Sequence, residues 1–579
     1  MIQSLSTWVV TALILLPCSA FHSWSPLTRR MAFRPNHRLR QTVASQEDWK
    51  DFRARLVMNT TSNSADNKTT TSWAYDAGFF IETGSIVLSK VESTLGCHDL
   101  QQPYFHKCAV LVLEHDEDFT KGIILNRPTN LVLKDEDIEY QDDDAILGME
   151  SNETIENNNT WSMMFGGDIA GLYDDEPTIL CLHSITTKLA RQVSDAVLKN
   201  VMVTSHAGAL TLVNAGEAKS SDFFVFYGFS GWESGQLLKE LKRGSWGMVA
   251  TDSETIWEQL EWQKEHNCSR SAGLEMWQNL TDKIGKKSEE EPAEDSFSDL
   301  MLKEWTTEML CVEDYCDDNM IFRALEAAQG QQIGEGSLVR GSSLDYSPFL
   351  LEEQLFHKST MLVFQEDEEM SVGLLLNHPS KDMHILKTPK GRKTEFNIRY
   401  GGPSDPDDDD PFIWLHSSKA LREADIGLSL GDKEGIWTCT GDEVGLAIDK
   451  GLAVPAEFMP VQGFSVWEKE AGAGGIAGQV LAGNFEAVSQ TDDKVWRLLL
   501  SQQPLSESTL DENLKLSSQA WAMAGKDSER KAEMYNGTAI GGMQRRVFGS
   551  NMKVSDLADD ALRNWITIFL LGDGEYSVY

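Results

Sequence analysis

The sequence predicts two tandem copies of one domain that contains both β-hairpins and helices. The first observation is a 24-residue stretch, 105–128, that returns without a gap at 356–379. Eleven of its positions are identical at a constant offset of 251 residues. The second observation is that further shared motifs surround each copy in the same order. A match of this length and order predicts an internal duplication of the chain.

Each copy of the stretch has the pattern of a β-hairpin. Two short apolar runs, 108–113 and 122–125 in the first copy, flank an acidic segment, as expected for two buried strands and a turn. The second run ends at an Asn-Arg-Pro or Asn-His-Pro triplet, because proline lacks a ladder donor and favours an extended preceding residue. Asn126 and Asn377 are therefore interpreted first as turn residues, and a ligand-binding role for them stays open.

The other shared motifs are a Gly-Ser segment, a Gly-Gly pair, a Leu-His-Ser triplet and a Gly-Phe-Ser-x-Trp-Glu segment. They lie at 84–87 and 336–339, 166–167 and 401–402, 182–184 and 415–417, and 228–233 and 463–468. After the last motif, residues 234–242 predict a short amphipathic helix in the first copy. Residues 474–483 predict a looser helix in the second, because each interior glycine costs about 1 kcal/mol against alanine.

These motifs resemble the bacterial YqgE/AlgH family. The family pattern runs from a Gly-Ser strand through a hairpin with Glu-His and Asn-Lys/Arg-Pro to Gly-Gly, Leu-His and a Gly-aromatic-x-x-Trp segment. Glu114-His115, the triplet at 126–128 and the segment 228–246 fit this order, and the second copy fits it less well. The resemblance covers most of 84–285 and 336–525.

The resemblance implies an α+β fold for both domains. In each of the two tandem domains, a mixed, bifurcated sheet would fold toward a pseudo-barrel with flanking helices. The family usually carries the label of transcriptional regulator, and its biochemical activity is unsettled. The resemblance therefore implies a regulatory or binding role more directly than a reaction.

The N-terminus has the pattern of a targeting sequence. An apolar core at 8–17 is followed by small residues, as in a cleaved secretory signal. Residues 21–45 then contain five arginines and no acid, as transit peptides do. The combination looks like the bipartite plastid presequence of algae with secondary red plastids, and secretion is the alternative.

The motifs and composition divide the chain into seven segments. The predicted order is a signal peptide (1–20), a transit-like segment (21–45), an N-terminal helix with a polar loop (46–83), repeat 1 (84–285), an acidic linker with one helix (286–332), repeat 2 (333–525) and a C-terminal helical tail (526–579). The tail helix is expected to pack on a repeat or on another subunit. No transmembrane segment is expected in the mature chain.

The net charge of −39 argues against direct nucleic-acid binding, because so acidic a protein repels phosphate backbones. The arginines at 29–40 are interpreted as the only dense basic cluster, and they fall in the segment expected to be removed. Two acidic stretches, 135–160 and 405–410, are interpreted as surface loops. The second lacks the glycine and ligand spacing of a calcium loop.

The cysteines do not predict a metal site. After loss of Cys18 seven remain, without a CxxC pair, so neither a zinc site nor a disulfide framework is expected. Cys97 with Cys108, and Cys311 with Cys316, stay open as redox-sensitive pairs. No cofactor is predicted.

The candidate ligand or partner surface is formed by the residues that the two copies share or nearly share. They are Asn126, Arg127, Gly166, Gly167, His183, Trp232 and Glu233 in the first copy and Asn377, Gly401, Gly402, His416, Trp467 and Glu468 in the second. A His and a Glu in one cleft could exchange protons, whereas a buried strand-end histidine is the structural alternative. The glycine pairs could form an anion-binding nest or a tight turn.

Two classes of function follow. The first, which the sequence favours, is a non-enzymatic regulatory or binding module for a protein partner or small ligand. The second is an enzyme of unknown substrate with an active first repeat and a degenerate second one. Ser230 and Ser465 lack the second glycine of a nucleophile elbow, and no complete phosphate-loop or dinucleotide fingerprint is present. No catalytic residue is therefore assigned.

Overall fold

The structure is a computed structural model. It describes residues 53–54, 72–90, 100–134, 159–171, 177–266, 273–285, 296–310, 333–342, 347–404, 411–431, 435–470, 473–488, 493–525 and 554–572. Outside these residues lie the predicted signal and transit-like segments, most of the acidic stretch 135–160, all of the acidic stretch 405–410, and Cys97, Cys311 and Cys316. The described residues form two compact units, one up to residue 310 and the other from residue 333, and each holds one repeat.

The first unit contains twelve strands among its described residues. They are β1 (Ala74–Gly78), β2 (Ile86–Ser89), β3 (Ala109–His115), β4 (Phe119–Ile124), β5 (Pro128–Lys134), β6 (Thr160–Phe165), β7 (Ile179–His183), β8 (Asp195–Leu198), β9 (Val201–Ser205), β10 (Phe224–Tyr227), β11 (Ser230–Glu233) and β12 (Trp246–Thr251). They form one sheet in the order β1-β12-β2-β3-β4-β11 and another in the order β5-β6-β10-β7-β9-β8. The first is antiparallel, and the parallel pair β6 and β10 makes the second mixed.

The second unit repeats this arrangement except at the edges of its first sheet, where β1 has no counterpart and a strand is added beside the counterpart of β11. Its strands are β13 (Leu338–Gly341), β14 (Thr360–Glu366), β15 (Met370–Leu375), β16 (Pro379–Lys387), β17 (Lys393–Tyr400), β18 (Phe412–His416), β19 (Leu428–Ser429), β20 (Trp437–Cys439), β21 (Phe458–Gln462), β22 (Ser465–Glu470), β23 (Ala473–Gly474) and β24 (Phe485–Ala487). The sheet orders are β23-β22-β15-β14-β13-β24 and β16-β17-β21-β18-β20-β19. The parallel pair is again present, between β17 and β21.

The helices also recur. In the first unit they are α1 (Ala190–Val193), α2 (His206–Asn214), α3 (Gln236–Arg243), α4 (Ser253–His266), α5 (Leu274–Lys283) and α6 (Phe297–Trp305). In the second they are α7 (Lys419–Glu423), α8 (Gly441–Asp449), α9 (Gly475–Leu481), α10 (Asp493–Ser501), α11 (Leu510–Ala524) and α12 (Val554–Trp565). The predicted helices at 234–242 and 474–483 are confirmed as α3 and α9. No helix in the described parts of the chain is long and apolar enough to cross a membrane.

The predicted hairpin is the centre of each unit. All residues of β3 except its last two are buried, and β3 pairs with β4 in antiparallel register. Their apolar side chains join a core that also includes residues from α4 and α5. The apolar runs form strands because two neighbouring strands and packed helices remove their side chains from water.

The two sheets of each unit are joined where the hairpin ends, which confirms the bifurcated sheet. β4 ends at Ile124, and after three residues the chain starts β5 in the other sheet with Pro128. Proline fits there because β5 is an edge strand and this is its first residue. The sequence predicted the end of β4, and it did not predict this new strand. β5 and β6 pair as a second hairpin, and the acidic stretch 135–160 falls between them. Thr160 belongs to β6 rather than to the loop.

The acidic linker and the C-terminal tail contribute the same element to the two units. α6 lies within the predicted linker and α12 within the predicted tail, and each continues into a π-helical turn, Thr306–Leu310 or Ile566–Leu571. An offset of 260 residues aligns Asp299, Leu302 and Trp305 with their counterparts 260 positions later. The expectation that the tail helix packs on a repeat is confirmed. We call α6 and α12 the clasp helices.

Candidate functional site

The clasp helices are attached to the hairpin through one carboxylate each. In the first unit, Asp299 of α6 lies 3.0 Å from His106 Nε2 and 2.7 Å from Lys107 Nζ. In the second, Asp559 of α12 lies 2.8 Å from His357 Nε2 and 2.6 Å from Lys358 Nζ. His-Lys is part of the duplicated stretch, so the same motif holds a helix twice.

Both aspartates are held in the ionised form. Burial alone would raise the pKa of Asp299, but hydrogen bonds from His106 and Lys107 outweigh it and hold the pKa below its ordinary value. The pKa of Asp559 is lowered in the same way by His357 and Lys358. Asp299 is almost fully buried, whereas the Asp559 side chain is 45% exposed. The first attachment is therefore less screened by water.

Asn126 and Asn377 support the lysines of these attachments. The Asn126 side chain accepts a hydrogen bond from Ala109 N at 2.9 Å and donates to Lys107 O at 2.9 Å. Asn377 makes the equivalent bonds to Thr360 N and Lys358 O at 2.9 and 3.0 Å. Lys107 and Lys358 have φ values of 46° and 51°, in the left-handed region that non-glycine residues rarely adopt. The two asparagines thus help to fix a strained backbone.

Each clasp helix also packs a tryptophan on the second sheet. Trp305 contacts Tyr104 and Phe165 with ring centroids 5.1 Å apart in both cases. Trp565 lies 5.7 Å from Tyr400, which is the counterpart of Phe165, and 6.2 Å from His378. Aromatic packing of this kind adds stability beyond the buried area.

Arg127 and its counterpart His378 follow the two supporting asparagines, and they carry a guanidinium and an imidazole, respectively. Arg127 is fully buried and donates to the carbonyl oxygens of Tyr104, Asn126 and His106. Its burial lowers the pKa of the guanidinium to about 10. His378 instead lies 2.7 Å from Leu355 O. Both side chains satisfy carbonyl groups of the preceding loop, although only one of them is a permanent cation.

The glycine pairs mark a close crossing of two backbone segments. Gly166 N donates to Tyr227 O at 2.8 Å, and Gly166 O accepts from Ile124 N at 2.8 Å. A Cβ on Gly167 would lie 2.2 Å from the carbonyl carbon of Phe229, and one on Gly402 would meet Phe464 at the same distance. The crossing therefore requires glycine in both units. Of the two alternatives, these contacts fit a tight backbone crossing.

His183 and His416 are buried at the ends of β7 and β18. Ile185 N donates to His183 Nδ1 at 3.1 Å, so the neutral ring carries its proton on Nε2, which lies 2.8 Å from Ser194 Oγ. His416 Nε2 lies 2.9 Å from Ile426 O. Both histidines thus make the strand-end hydrogen bonds of the structural alternative.

The buried histidines predict a loss of stability in mild acid. Burial lowers the pKa of His183 and of His378 to about 4, from an ordinary value of 6.5. Between these values the unfolded chain binds more protons than the folded chain, so stability falls as the pH decreases through this window. For each histidine we expect a loss of about 2 kcal/mol between pH 6.5 and 5.

Urea unfolding at both pH values checks this prediction. His183→Gln keeps an amide donor and acceptor but cannot titrate, so it should recover about 2 kcal/mol of the pH-dependent loss. His115→Gln, at an exposed position of the same unit, is the control and should recover nothing. An unchanged pH dependence in His183→Gln would contradict the assignment of a neutral buried ring.

The Trp-Glu pairs do not meet the histidines. Trp232 is buried, and its Nε1 donates to Glu240 Oε2 at 3.0 Å; Trp246 Nε1 donates to the same oxygen at 2.7 Å. Glu233 is exposed, and its backbone N–H donates to Gln236 Oε1. It belongs to the first sheet, whereas His183 belongs to the second. The structure therefore does not place His183 and Glu233 as an acid-base pair.

The second unit keeps the shape of this region and loses its carboxylate. Trp467 is buried against Phe356 and Phe485, at 5.5 and 6.1 Å between ring centroids. Phe485 takes the place of Trp246, and Glu468 is exposed like Glu233. Trp232 and Trp467 are therefore packed in the same way, but only Trp232 has the carboxylate partner Glu240.

The candidate residues thus fall into four structural clusters in each unit. The asparagines belong to the clasp attachment, the glycine pairs to the backbone crossing, the histidines to the end of the second sheet, and the tryptophans to an aromatic cluster in the first sheet. Asp299, Asp559 and Glu240 complete these clusters and were not predicted from the sequence. The 260-residue offset was the signal that could have identified the two aspartates. A second basic cluster at 387–393 was also missed, so the arginines at 29–40 are not the only one.

In the described residues, metal-ligating side chains do not cluster and the free thiols are buried. No group of three or more His, Cys, Asp or Glu that could hold a metal ion occurs in the part of the chain that the structure describes. Cys108, Cys181 and Cys439 carry free, buried thiols. Burial raises the pKa of the Cys108 thiol to about 12, which leaves it protonated and weakly nucleophilic at neutral pH.

Comparison with known proteins matches both units to one family. The sequence profile of the AlgH-like family matches residues 95–287 and 344–472. A UPF0301 protein of Pseudoalteromonas translucida is 26% identical over 170 residues, which are 28% of this chain and 82% of that protein. A UPF0301 protein of Colwellia psychrerythraea is 27% identical over 200 residues, or 32% of this chain and 91% of that protein.

Among solved structures, the AlgH protein from Pseudomonas aeruginosa matches with 20% identity and a TM-score of 0.23, covering 32% of this chain and 87% of that one. The two profile matches together span more than half of the sequence and fall one in each compact unit. The clasp helices lie outside both matches. The chain belongs to the AlgH-like family and contains two tandem copies of its domain.

Proposed function

We propose that this protein is a non-enzymatic regulatory module that binds a protein partner through the surfaces of its two AlgH-like domains. The observation that carries the proposal is the contrast between what the two copies keep and what they change. Both keep the Asn-to-Lys hydrogen bond, the His-Lys-Asp attachment and the glycine crossing. These contacts hold the fold.

The groups suited to proton transfer differ between the copies. Glu114-His115 in β3 corresponds to Gln365-Glu366 in β14. The hydroxyl beside His183 is replaced by a carbonyl oxygen beside His416. A duplicated binding scaffold needs its shape in both copies, whereas a duplicated enzyme would need its reactive groups in at least one cleft. The burial of both histidines among fold-holding contacts supports the first alternative.

The proposed mode of regulation is indirect. We propose a role in transcriptional regulation, the label that the AlgH-like family usually carries. The net charge of −39 favours action through a protein partner over direct contact with DNA. Two domains in one chain can raise the apparent affinity for a partner that engages both. We further propose that the protein works in a plastid, as its N-terminal pattern predicts.

Cross-linking of a tagged full-length chain in its own cells tests the proposal. We expect a reproducible protein partner whose recovery is the same for wild type, His183→Gln and His416→Gln, because the histidines hold the fold and do not contact the partner. In parallel, a thermal-shift screen with nucleotides and phosphorylated metabolites should give no shift that depends on either histidine. A ligand at 100 times its dissociation constant would add about 2.7 kcal/mol, which such a screen detects.

The contrary result is equally specific. Turnover of a small molecule that is lost in His183→Gln and retained in His416→Gln would identify an enzyme with one active repeat. That outcome would overturn the proposal even if a protein partner were also found, because the binding module as proposed performs no chemistry.

A further inference from the structure

The hairpin formed by β16 and β17 is a basic and apolar surface on a very acidic protein. Residues 381–395 contain five basic side chains and two acidic ones, in a chain whose net charge is −39. The basic residues are all exposed: Lys381, Lys387, Lys390, Arg392 and Lys393. We call the outer face of residues 383–393 the basic hairpin.

The alternation of β16 separates an inward from an outward face. His384 lies 4.5 Å from the Phe412 ring, and Leu386 packs on the core of the second sheet. The residues that alternate with them therefore face outward: Met383 and Ile385 are 45% and 56% exposed, and Lys387 is exposed as well. Two large apolar side chains thus lie next to a basic cluster in water.

Two lysines on this face lie directly opposite each other although their like charges repel. Lys387 and Lys393 are register partners across the two strands, and like charges directly opposite each other destabilise a sheet. The turn between them is built firmly, since Asp449 of α8 accepts from Lys390 N at 2.7 Å and Thr388 Oγ1 at 2.8 Å. The backbone that carries the lysine pair is therefore anchored, and a carboxylate from outside could bridge the two side chains.

Among the described residues, no strand pairs with the outer edge of β16. It is the terminal strand of its sheet, and near its start Leu505 N donates to Ser380 O and Lys381 Nζ donates to Gly572 O. An edge strand offers backbone donors and acceptors to an added strand. The equivalent edge in the first unit, β5, exposes Val132 but has no lysine pair. The combination belongs to the second unit alone.

We propose that the basic hairpin binds an acidic segment of a partner protein in extended conformation, as an added strand along β16. The segment would place carboxylates near Lys387 and Lys393 and apolar side chains against Met383 and Ile385. A polyanion such as nucleic acid or an anionic membrane fits less well, because the rest of the protein repels a large negative charge. This inference rests on the proposed function, because the proposed function is the reason for expecting the partner to be a protein.

Fluorescence anisotropy with the full-length chain tests the site. The probe is a labelled peptide of the sequence Thr-Glu-Thr-Ile-Thr-Ile-Thr-Glu, which places its glutamates and isoleucines on one face of an extended strand. We expect saturable binding that weakens with added salt, because the charges are near the surface. Lys387→Glu with Lys393→Glu should weaken binding at least about tenfold, and Met383→Ser with Ile385→Ser should weaken it without changing the salt dependence.

Matched controls separate the hairpin from net charge. Lys419→Glu with Lys515→Glu changes the charge of the same unit equally at lysines that are 81% and 63% exposed, and it should leave binding unchanged. A peptide with lysines in place of the glutamates should not bind. Circular dichroism of each variant establishes that the unit is folded.

Three results would overturn the inference. They are equal loss in the control pair, equal or tighter binding of a DNA oligonucleotide or anionic vesicles, and absence of peptide binding by the folded wild type. If the cellular partner cross-links to the double variant Lys387→Glu/Lys393→Glu as strongly as to wild type, the inference is wrong while the proposed function still holds. Loss of the partner from this variant alone would support both.

Discussion

Asp299→Ala is expected to destabilise the first unit by about 3 kcal/mol, because it leaves two basic groups without their shared carboxylate in a mostly buried site. The Asp299 carboxylate is only 4% exposed, so water screens this attachment little. The same change removes the side chain that closes the capping box of α6 with Ser296. Urea unfolding of the full-length chain, followed by fluorescence, measures the loss.

Asp559→Ala is the matched variant in the second unit. Its carboxylate is 45% exposed, so water screens the pair and we expect a loss of only about 1 kcal/mol. The order of the two effects is the diagnostic result. A loss in Asp299→Ala no larger than that in Asp559→Ala would contradict the idea that burial strengthens the first attachment.

Gly402→Ala is expected to prevent the second unit from folding. The new methyl group would lie 2.2 Å from the Phe464 carbonyl carbon and 2.5 Å from Ser465 N, and neither backbone segment can move without breaking the sheets. The φ of 154° adds strain. We expect a cost above about 4 kcal/mol, seen as loss of one unfolding transition in calorimetry. Gly167→Ala should do the same to the first unit.

Gly478→Ala provides the control for this prediction. Gly478 lies inside α9, and a Cβ there would meet nothing within 4 Å. Alanine is the better helix former, so this variant should gain up to about 1 kcal/mol. A similar, small effect in both variants would mean that the glycine pair is not the site of a close crossing.

Local patterns predicted much of the fold. The apolar runs around the acidic turn are β3 and β4, and the amphipathic segment after Glu233 is α3, because these elements bury what their own sequence makes apolar. The continuation from β4 into β5 was not predictable in this way. It depends on a change of sheet, and the three residues after Ile124 give no periodic signal of where the chain goes next.

The sequence could predict which residues belong to the candidate site, but it could not predict which of them are in contact. The shared residues were found by comparing the two copies, but identity between copies does not distinguish a ligand contact from a fold contact. His183 and Glu233 belong to different sheets, and no spacing rule relates residues across such a junction. The clasp aspartates escaped because they lie about 190 and 200 residues from the lysines they contact.

The duplication also shows which contacts are under physical constraint. The left-handed lysine, its supporting asparagine and the clasp carboxylate form a connected chain in both units. Neighbouring side chains that do not belong to this series of contacts differ between the units, as Arg127 and His378 do. The clasp helices are therefore part of the folded domain in this protein, although the family profile ends before each of them.

Hydrogen exchange of the full-length chain, read by mass spectrometry, tests this central claim most directly. Amides in the interior of α6 and α12 should be protected within a few-fold of those in β3 and β14, since the helices open only with the units they close. The helix of the first unit should be the slower of the two. Exchange of either helix at the rate of a free peptide, while the strands stay protected, would contradict the account and make that helix a linker or tail.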